Sequence, residues 1–557
     1  MPSELDLRYD AMVRDVTGPD GMLALGHDDR GQVIIRNFPA TLPALFRTFC
    51  QVNAAHEAVV ACDERLNFDA LDAISEGAAR ALAARGVGKG DRIAIAMRNC
   101  PAWIVSYMAI LKAGGIATLL NGWWEHHELE HALCLAEPKL VIADAARAKR
   151  IAAAKCSSET IELAVDKPIE QALAPLLDSG GFDGELPEVA PEDDATILFT
   201  SGSTGEAKGA VSTHRAVTTG AYIYASGLIT LLGLLTKDGR APKSKPRVLL
   251  SVPLFHVTGE VPVMLTSFVV GRCMVIMPKW DAGEALRLID EERITYFVGV
   301  PTMSLELMTH PDLSKYNLTS MTDIAAGGAP RPISHVERLR EAFPASQPAL
   351  GYGLTETNAV GAQNFWTNYA AKPGSTGRPQ RPYVEMAILG EGDRSLATGE
   401  TGEIAIRTAA NIRGYWKAAQ ATADLFTTDG FVRTGDVGYL DEDNYLFIVD
   451  RKKEIIIRGG ENIAAAEVEA ACYAFPEVAE ACVFGAHDER LGEVPVAIIR
   501  SETPGAVGEA ELRKFVEQRL ARFKVPDRFI FVDEELPRLG TGKVDRRALK
   551  ARYASAS

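Results

Sequence analysis

Five short apolar runs, Arg92–Ala96, Leu140–Ile142, Val248–Leu250, Met274–Ile276 and Tyr296–Val298, alternate with amphipathic stretches at 70–85, 102–113, 283–292 and 334–342. Strands this short, separated by helices, need crossover connections, so parallel sheets layered with helices are expected over the first 350 residues. After about residue 380 the texture changes: Val384–Leu389, Glu403–Arg407 and the pair 438–440 and 445–449 around Asp441-Glu442-Asp443-Asn444 read as an antiparallel, turn-rich subdomain. A charged break, Asp450-Arg451-Lys452-Lys453-Glu454, introduces a tail with its own strand and helix pattern. A chain of 557 residues exceeds one core. The expected fold is α/β: a large N-terminal domain over 1–450, with a β-rich subdomain at 380–450, and a small α+β C-terminal domain over 451–557.

Directly after the apolar run Ala195–Phe199 comes Thr200-Ser201-Gly202-Ser203-Thr204-Gly205-Glu206-Ala207-Lys208-Gly209. Glycines at 202, 205 and 209 permit close backbone approach, so N–H groups, hydroxyls and Lys208 can converge on a phosphate. The order is not G-x-x-x-x-G-K-[ST], and Gly540-Thr541-Gly542-Lys543 does not supply that pattern either. A flexible Gly/Ser linker is the competing reading; the strand before the loop and the lysine in it speak against that.

A net charge of -15 argues against nucleic acid or an anionic membrane as partner, so any phosphate must be held locally. The eight cysteines contain no C-x-x-C pair, which indicates neither a disulfide framework nor a thiolate metal site and fits a reducing cytoplasm. The N-terminus carries acidic residues and no apolar core, unlike a signal peptide. Ala216–Thr236 runs 21 residues without a charge, long enough to span a bilayer; its three glycines, its threonines and its position after the phosphate loop favour a buried helix and loop. His127-Glu128-Leu129-Glu130-His131 satisfies H-E-x-x-H, but without an identifiable third ligand it is read as a surface helix.

Eight segments occur together in one order: TSGSTGEAKG at 200, PLFHVTG at 253, AAGGAP at 325, GYGLTET at 351, GSTGRP at 374, RTGDVG at 433, DRKKEIIIRGGENI at 450 and PRLGTGK at 537. In this the chain resembles the adenylate-forming (AMP-binding) superfamily, specifically its acyl-CoA synthetase branch, over roughly residues 40–550. The resemblance implies ATP, Mg²⁺ and CoA as cofactors and a carboxylic acid as substrate. It assigns Thr200, Ser201, Gly202, Ser203, Thr204, Gly205 and Lys208 to the phosphates, and Glu356, with Thr200, to Mg²⁺, a cation that prefers hard oxygen ligands. Tyr352 matches the aromatic residue that stacks on adenine; Gly327, Gly328 and Ala329 match the backbone passing the base, and Gly351, Gly353, Leu354 and Thr355 complete that nucleotide segment. Asp436 and Arg451 match the ribose-binding pair, His256 the histidine beside the acyl site, and Lys543 the catalytic lysine. The last makes physical sense, because carboxylate attack on the α-phosphate spreads negative charge that an ammonium stabilises.

The resemblance further implies a mobile small domain that swings about Asp450 once acyl-AMP has formed, withdrawing Lys543 and bringing Gly459 and Gly460 to line a tunnel for the CoA thiol. Acetyl-CoA synthetases place tryptophan where Gly353 lies, so an acid larger than propionate is expected, in an apolar cleft walled by Val257, Val300, Pro301, Ala325, Gly327 and Val360. Three departures bear on the acyl side: Gly122-Trp123-Trp124 follows Leu120-Asn121, Ala464-Ala465 follow Asn462-Ile463, and Glu260 lies near where some fatty-acid enzymes carry a gating tryptophan. Two other readings stay open: an adenylating enzyme that loads a carrier protein, and an inactive acyl- or nucleotide-binding protein. Amino acids are disfavoured, because no aspartate stands near Phe255-His256 to hold an α-ammonium. A homodimer, and whether the acid is fatty, aryl or steroidal, are left open.

Overall fold

The computed structural model describes residues 2–154, 158–178, 182–200, 207–242, 244–328, 331–452, 454–458, 461–488, 490–501, 503, 505–539 and 543–554. Two large sheets dominate. In the first, strands run in the order 414–415, 208–213, 194–200, 116–119, 92–96, 140–144, 159–163. The five from 194–200 to 159–163 are parallel; 208–213 turns back antiparallel on 194–200. The second sheet has the order 378–379, 361–365, 347–353, 323–326, 296–299, 247–250, 273–276, 57–61, 64–67, parallel from 347–353 through 57–61 and antiparallel at both edges. Strands such as Ile116–Leu119 and Cys273–Ile276 are buried at every residue, as parallel strands covered on both faces must be.

The helix Pro101–Lys112 is buried at all twelve positions, so its apolar residues encircle it rather than forming a stripe. Even Lys112 is buried, its Nζ donating to Asp72 Oδ1 at 2.6 Å and Ser75 Oγ at 2.8 Å. A third, antiparallel sheet joins 385–389, 402–407, 432–440 and 446–451. Beyond it, strands 461–464, 455–458, 492–501 and 478–488, with 528–531 parallel to 492–501, form a further sheet with its own core of Ile456, Val468, Val483, Ile499, Leu512 and Phe529.

Two expectations need correction. The uncharged segment at 216–236 is not helix and loop but part of one uninterrupted helix, His214–Lys237. Its glycines are packing positions: a Cβ on Gly220 would lie 3.1 Å from Val261 Cγ1, and one on Gly233 2.7 Å from Met12 Sδ. It is the one helix among the described residues long and apolar enough to cross a membrane, yet 67% of its most apolar window is packed inside the protein. The cysteines also do not all stay apart: Cys134 is disulfide-bonded, while Cys50, Cys62, Cys100, Cys273, Cys472 and Cys482 are free.

Candidate active site

Strands 323–326 and 347–353 run parallel with Ala326 beside Leu350, so the segments after their C-terminal ends emerge on one edge of the second sheet. That edge is where open parallel sheets hold ligands. Gly327 faces the Gly351 carbonyl, and Gly328, at φ +77°, uses the left-handed conformation that glycine tolerates. A Cβ on Gly328 would sit 3.5 Å from Lys543 Cε. The C-terminal lysine therefore reaches this edge of the second sheet.

Asp436, on strand Val432–Leu440, is buried and holds two partners from different elements. Its Oδ2 accepts from the Tyr352 hydroxyl at 2.7 Å, and its Oδ1 lies 3.0 Å from Arg451 Nε. Arg451 is its cross-strand neighbour, so sheet register alone places the pair. Burial and then the Asp436 charge push the Tyr352 hydroxyl well above its ordinary range, keeping it a donor.

Glu356 sits in a 3₁₀ turn, Thr355–Thr357, that closes through two non-glycine residues with positive φ, Asn358 at 48° and Ala359 at 65°. Backbone strained in this way must be held from outside. Asn358 does so: buried, it donates from Nδ2 to the Ala410 carbonyl at 2.7 Å and to Ser212 Oγ at 3.0 Å. Glu356 Oε1 accepts from the Tyr415 hydroxyl at 2.7 Å, and Lys208 Nζ lies 5.2 Å from the Tyr415 ring centroid. Lys208 itself pairs in register with Thr200 across the start of the phosphate-loop hairpin. Tyr415 thus joins the glutamate to the loop lysine. Replacing it with Phe is expected to slow acyl-adenylate formation about tenfold, the cost of one lost charge-assisted hydrogen bond that fixes Glu356. Single-turnover formation of acyl-AMP measures this, and an unchanged rate would show that Glu356 needs no such support.

Lys543 lies among Arg451, Asp436, Glu356 and His256. Burial, with help from Arg451, lowers its ammonium from 10.5 to about 8, against the opposing pull of Asp436 and Glu356. Burial, and then the Lys543 charge, lower His256 to about 3, so its imidazole is neutral. His256 Nδ1 accepts from the Thr258 N–H at 3.3 Å, which leaves the ring proton on Nε2.

Among the expected site residues, Lys543, Glu356, Asp436, Arg451, Tyr352, Gly327, Gly328 and His256 converge here, while Thr200 and Lys208 pair in the first sheet with Lys208 beside Tyr415. Ser201, Gly202, Ser203, Thr204, Gly205, Ala329, Gly459 and Gly460 lie outside the described residues. Gly353 is where the physical reason changes. A Cβ there would stand 2.1 Å from the Ala359 carbonyl oxygen and 2.9 Å from Val360 N, so glycine is required by the tight Asn358–Ala359 turn rather than left vacant for substrate. A tryptophan at 353 would displace backbone before it narrowed any cleft. Leu354 and Thr355 belong to the same turn, where Leu354 N–H donates to Thr357 Oγ1 at 3.1 Å. His131 Nε2 lies 3.0 Å from the Ala207 carbonyl, so the H-E-x-x-H helix abuts the exit of the phosphate loop. Sequence reasoning missed Tyr415 and Asn358. Tyr415 lies on a two-residue strand, Gly414–Tyr415, too short to leave a periodic signal, and nothing local marks Asn358 as the clasp of a strained turn.

Residues 46–416 match the AMP-binding enzyme family and residues 467–543 the AMP-binding enzyme C-terminal domain. A long-chain-fatty-acid–CoA ligase of Bacillus subtilis (strain 168) is 33% identical over 503 residues, covering 84% of this chain and 86% of that protein. The 4-coumarate–CoA ligase 3 of Oryza sativa subsp. japonica is 31% identical over 507 residues, covering 88% of each. The ATP-bound structure of MatB from Rhodopseudomonas palustris, 28% identical, superposes with a TM-score of 0.81 over 92% of this chain and 99% of that one. Its apo structure, 28% identical, gives 0.72 over 93% and 99%. The site geometry, both matched domains and these full-length likenesses agree: the chain belongs to the AMP-binding enzyme family, in its adenylate-forming acyl-CoA synthetase branch.

Proposed function

We propose that the protein joins a carboxylic acid to CoA at the expense of ATP, in two steps at one site. A substrate carboxylate oxygen attacks the α-phosphorus of ATP, the bond to pyrophosphate breaks, and acyl-AMP forms. The CoA thiol then gives up its proton and attacks the acyl carbonyl carbon, the bond to the AMP oxygen breaks, and acyl-CoA and AMP leave. The observation that carries this reading is Lys543 packed against Gly328 beside Asp436 and Glu356. An ammonium at that position stabilises charge gained by the phosphate oxygens in the first step.

In this reading Asp436 accepts from the ribose hydroxyls with Arg451 in support, Tyr352 lies against the base, and the neutral His256 donates from Nε2 toward the acid. Glu356 fits Mg²⁺: it is a hard oxygen donor whose Oε1 is held by a neutral phenol rather than a cation, while Thr200 joins it as a ligand on the motif alone. Bound there, Mg²⁺ would neutralise triphosphate charge. The phosphate-loop assignments at 201–205 and the tunnel assignments at Gly459 and Gly460 rest on the motifs alone.

A boundary between 450 and 451 and a rotation of the small domain about Asp450 belong to the same proposal. Asp450 is buried and accepts from the Ala465 N–H, while Arg451 and Lys452, immediately after it, pair with Asp436 and Glu403 of the large domain. In both pairs only the cation faces solvent, so a rotation that withdrew them would leave the buried Asp436 carboxylate in need of another partner. The closer superposition on ATP-bound than on apo MatB supports reading this arrangement as the adenylating one. For the acid, relatives named for long-chain fatty acids and for 4-coumarate support a substrate larger than propionate. The expected wall residues Val257, Ala325 and Val360 are buried apolar side chains. CoA is the acceptor favoured over a carrier protein, since those relatives are CoA ligases. A cytoplasmic enzyme and a homodimer are consistent with this reading.

Acid-dependent exchange of labelled pyrophosphate into ATP, without CoA, tests the first step; its absence with every acid of a broad aliphatic and aromatic panel would overturn the proposal. The pH profile of that exchange carries a second expectation. Because Lys543 is lowered to about 8, its ammonium is present below that pH and lost above it, so kcat/KM should fall as pH rises through about 8. Lys543→Arg, which stays charged, should remove that limb; a limb that persists belongs to another group.

A further inference from the structure

One buried carboxyl has no part in the chemistry above. Glu260 is fully buried and lies one turn beyond His256, to whose carbonyl its N–H donates at 3.0 Å. It sits in a π-helical segment, Gly259–Leu265, with Pro262 inside. Widened turns of this kind mark functional sites and need outside support. Here Arg272 gives it: buried, its Nη2 donates to the carbonyls of Pro262 and Val263, both at 3.1 Å, and its Nε to Ser267 Oγ at 2.9 Å. The distortion that positions Glu260 is therefore held from a neighbouring turn.

The Glu260 carboxyl is only half satisfied. Oε1 accepts from the Tyr107 hydroxyl at 2.7 Å, whereas Oε2 is buried with no hydrogen-bond partner among the described residues. Tyr107 is locked in turn: its ring stacks on Trp103 at 5.4 Å and 14° and meets Phe46 edge-on at 6.3 Å. On the same helix as Tyr107, Trp103 Nε1 and Ser106 Oγ are likewise buried without a partner among the described residues. A core built for packing alone would not keep a carboxyl oxygen, an indole N–H and a hydroxyl unpaired, because each such group costs free energy that an apolar residue would not. Among the described residues no cation offsets the burial, which raises the carboxyl to about 7 against the Tyr107 hydrogen bond. Four residues after His256 and bonded to its carbonyl, Glu260 follows that histidine by one turn along the same side of the helix.

We propose that Glu260, oriented by Tyr107, is the polar end of the acyl cleft, and that its Oε2 hydrogen-bonds a hydroxyl group carried by the acid at a distance from its carboxylate. The inference rests on the ligase reading and narrows it to acids bearing an alcohol or phenol away from the reacting carbonyl. A plain hydrocarbon tail arriving at Glu260 would leave Oε2 unpaired, and a hydroxylated tail would satisfy it.

The test is CoA-dependent AMP release measured over matched acid pairs: straight-chain acids of graded length with their ω-hydroxy counterparts, and aryl-propanoic and cinnamic acids with and without a phenolic hydroxyl. The wild type is expected to prefer the hydroxylated member of at least one pair by about ten- to a hundredfold in kcat/KM, as sites built to bind a hydroxyl do. Glu260→Leu should erase that preference, so that the two members of the pair are turned over with equal kcat/KM. Glu260→Met, apolar but more adaptable in shape, provides the same reading if leucine does not fold, with folding checked by thermal unfolding. Turnover without discrimination in any pair, or a preference that survives both substitutions, would overturn the role of Glu260 and leave the ligase reading standing. No turnover with any acid would overturn the ligase reading itself.

Discussion

Lys543→Ala is expected to slow acyl-adenylate formation by about a thousandfold, the scale of losing one preorganised charge at a developing phosphate charge. The same variant should still convert supplied acyl-AMP and CoA to acyl-CoA at close to the wild-type rate. Both halves follow from position. Lys543 touches the loop at Gly328 and shares its surroundings with Asp436 and Glu356, so its ammonium acts where the phosphate reacts. Once acyl-AMP exists, the C–O bond that breaks lies on the acyl side of the phosphate, and a charge needed for pyrophosphate displacement is no longer needed. Assaying the half-reactions separately decides this. Equal loss in both would mean that Lys543 serves the fold or the nucleotide site as a whole and does not withdraw between steps.

Asp436→Ala is expected to raise the KM for ATP about a hundredfold, roughly 3 kcal/mol of lost binding. The aspartate is 4% exposed and stands between Tyr352 and Arg451, so its removal would do more than delete the acceptor proposed for ribose. The Tyr352 hydroxyl loses its buried acceptor and Arg451 loses the carboxylate that holds it across the sheet. Asp436→Asn should recover part of the loss, since its side-chain carbonyl can still accept from Tyr352 but brings no charge for Arg451. Isothermal titration with ATP or a non-hydrolysable analogue reads the effect directly. Unchanged affinity in the alanine variant would place the nucleotide elsewhere.

Much of the fold was legible because buried parallel strands write themselves as short unbroken apolar runs. The expected strand Arg92–Ala96 is found at those residues, and 296–298 is found as 296–299. Strand order was not legible: 247–250 lies between 273–276 and 296–299, and 57–61, from the start of the chain, joins 273–276 across most of the large domain. Pairings of that kind are set by tertiary packing, which local patterns do not encode. The helix His214–Lys237 was misread for the same reason, since its glycines look like breaks until Val261 and Met12 are seen packed against them.

At the site, motif order picked out charged residues that the structure brings together, Lys543, Asp436, Glu356 and Arg451, whose roles belong to the proposal. The residues that orient them were missed. Asn358 and Tyr415 act on Glu356 through contacts that cross between chain segments, and Gly353 is small because of the backbone at 359–360 rather than the substrate. Glu260 was visible only as a departure; its unpaired oxygen emerges once Tyr107 and the π-helical turn are in place.

AMP release by the purified protein with Mg-ATP, across a panel of aliphatic and aromatic carboxylic acids with and without CoA, tests the central claim most directly. Sustained turnover that requires both an acid and CoA is the predicted result. AMP limited to a single burst that CoA does not sustain, or release indifferent to the acid, would contradict an acid–CoA ligase.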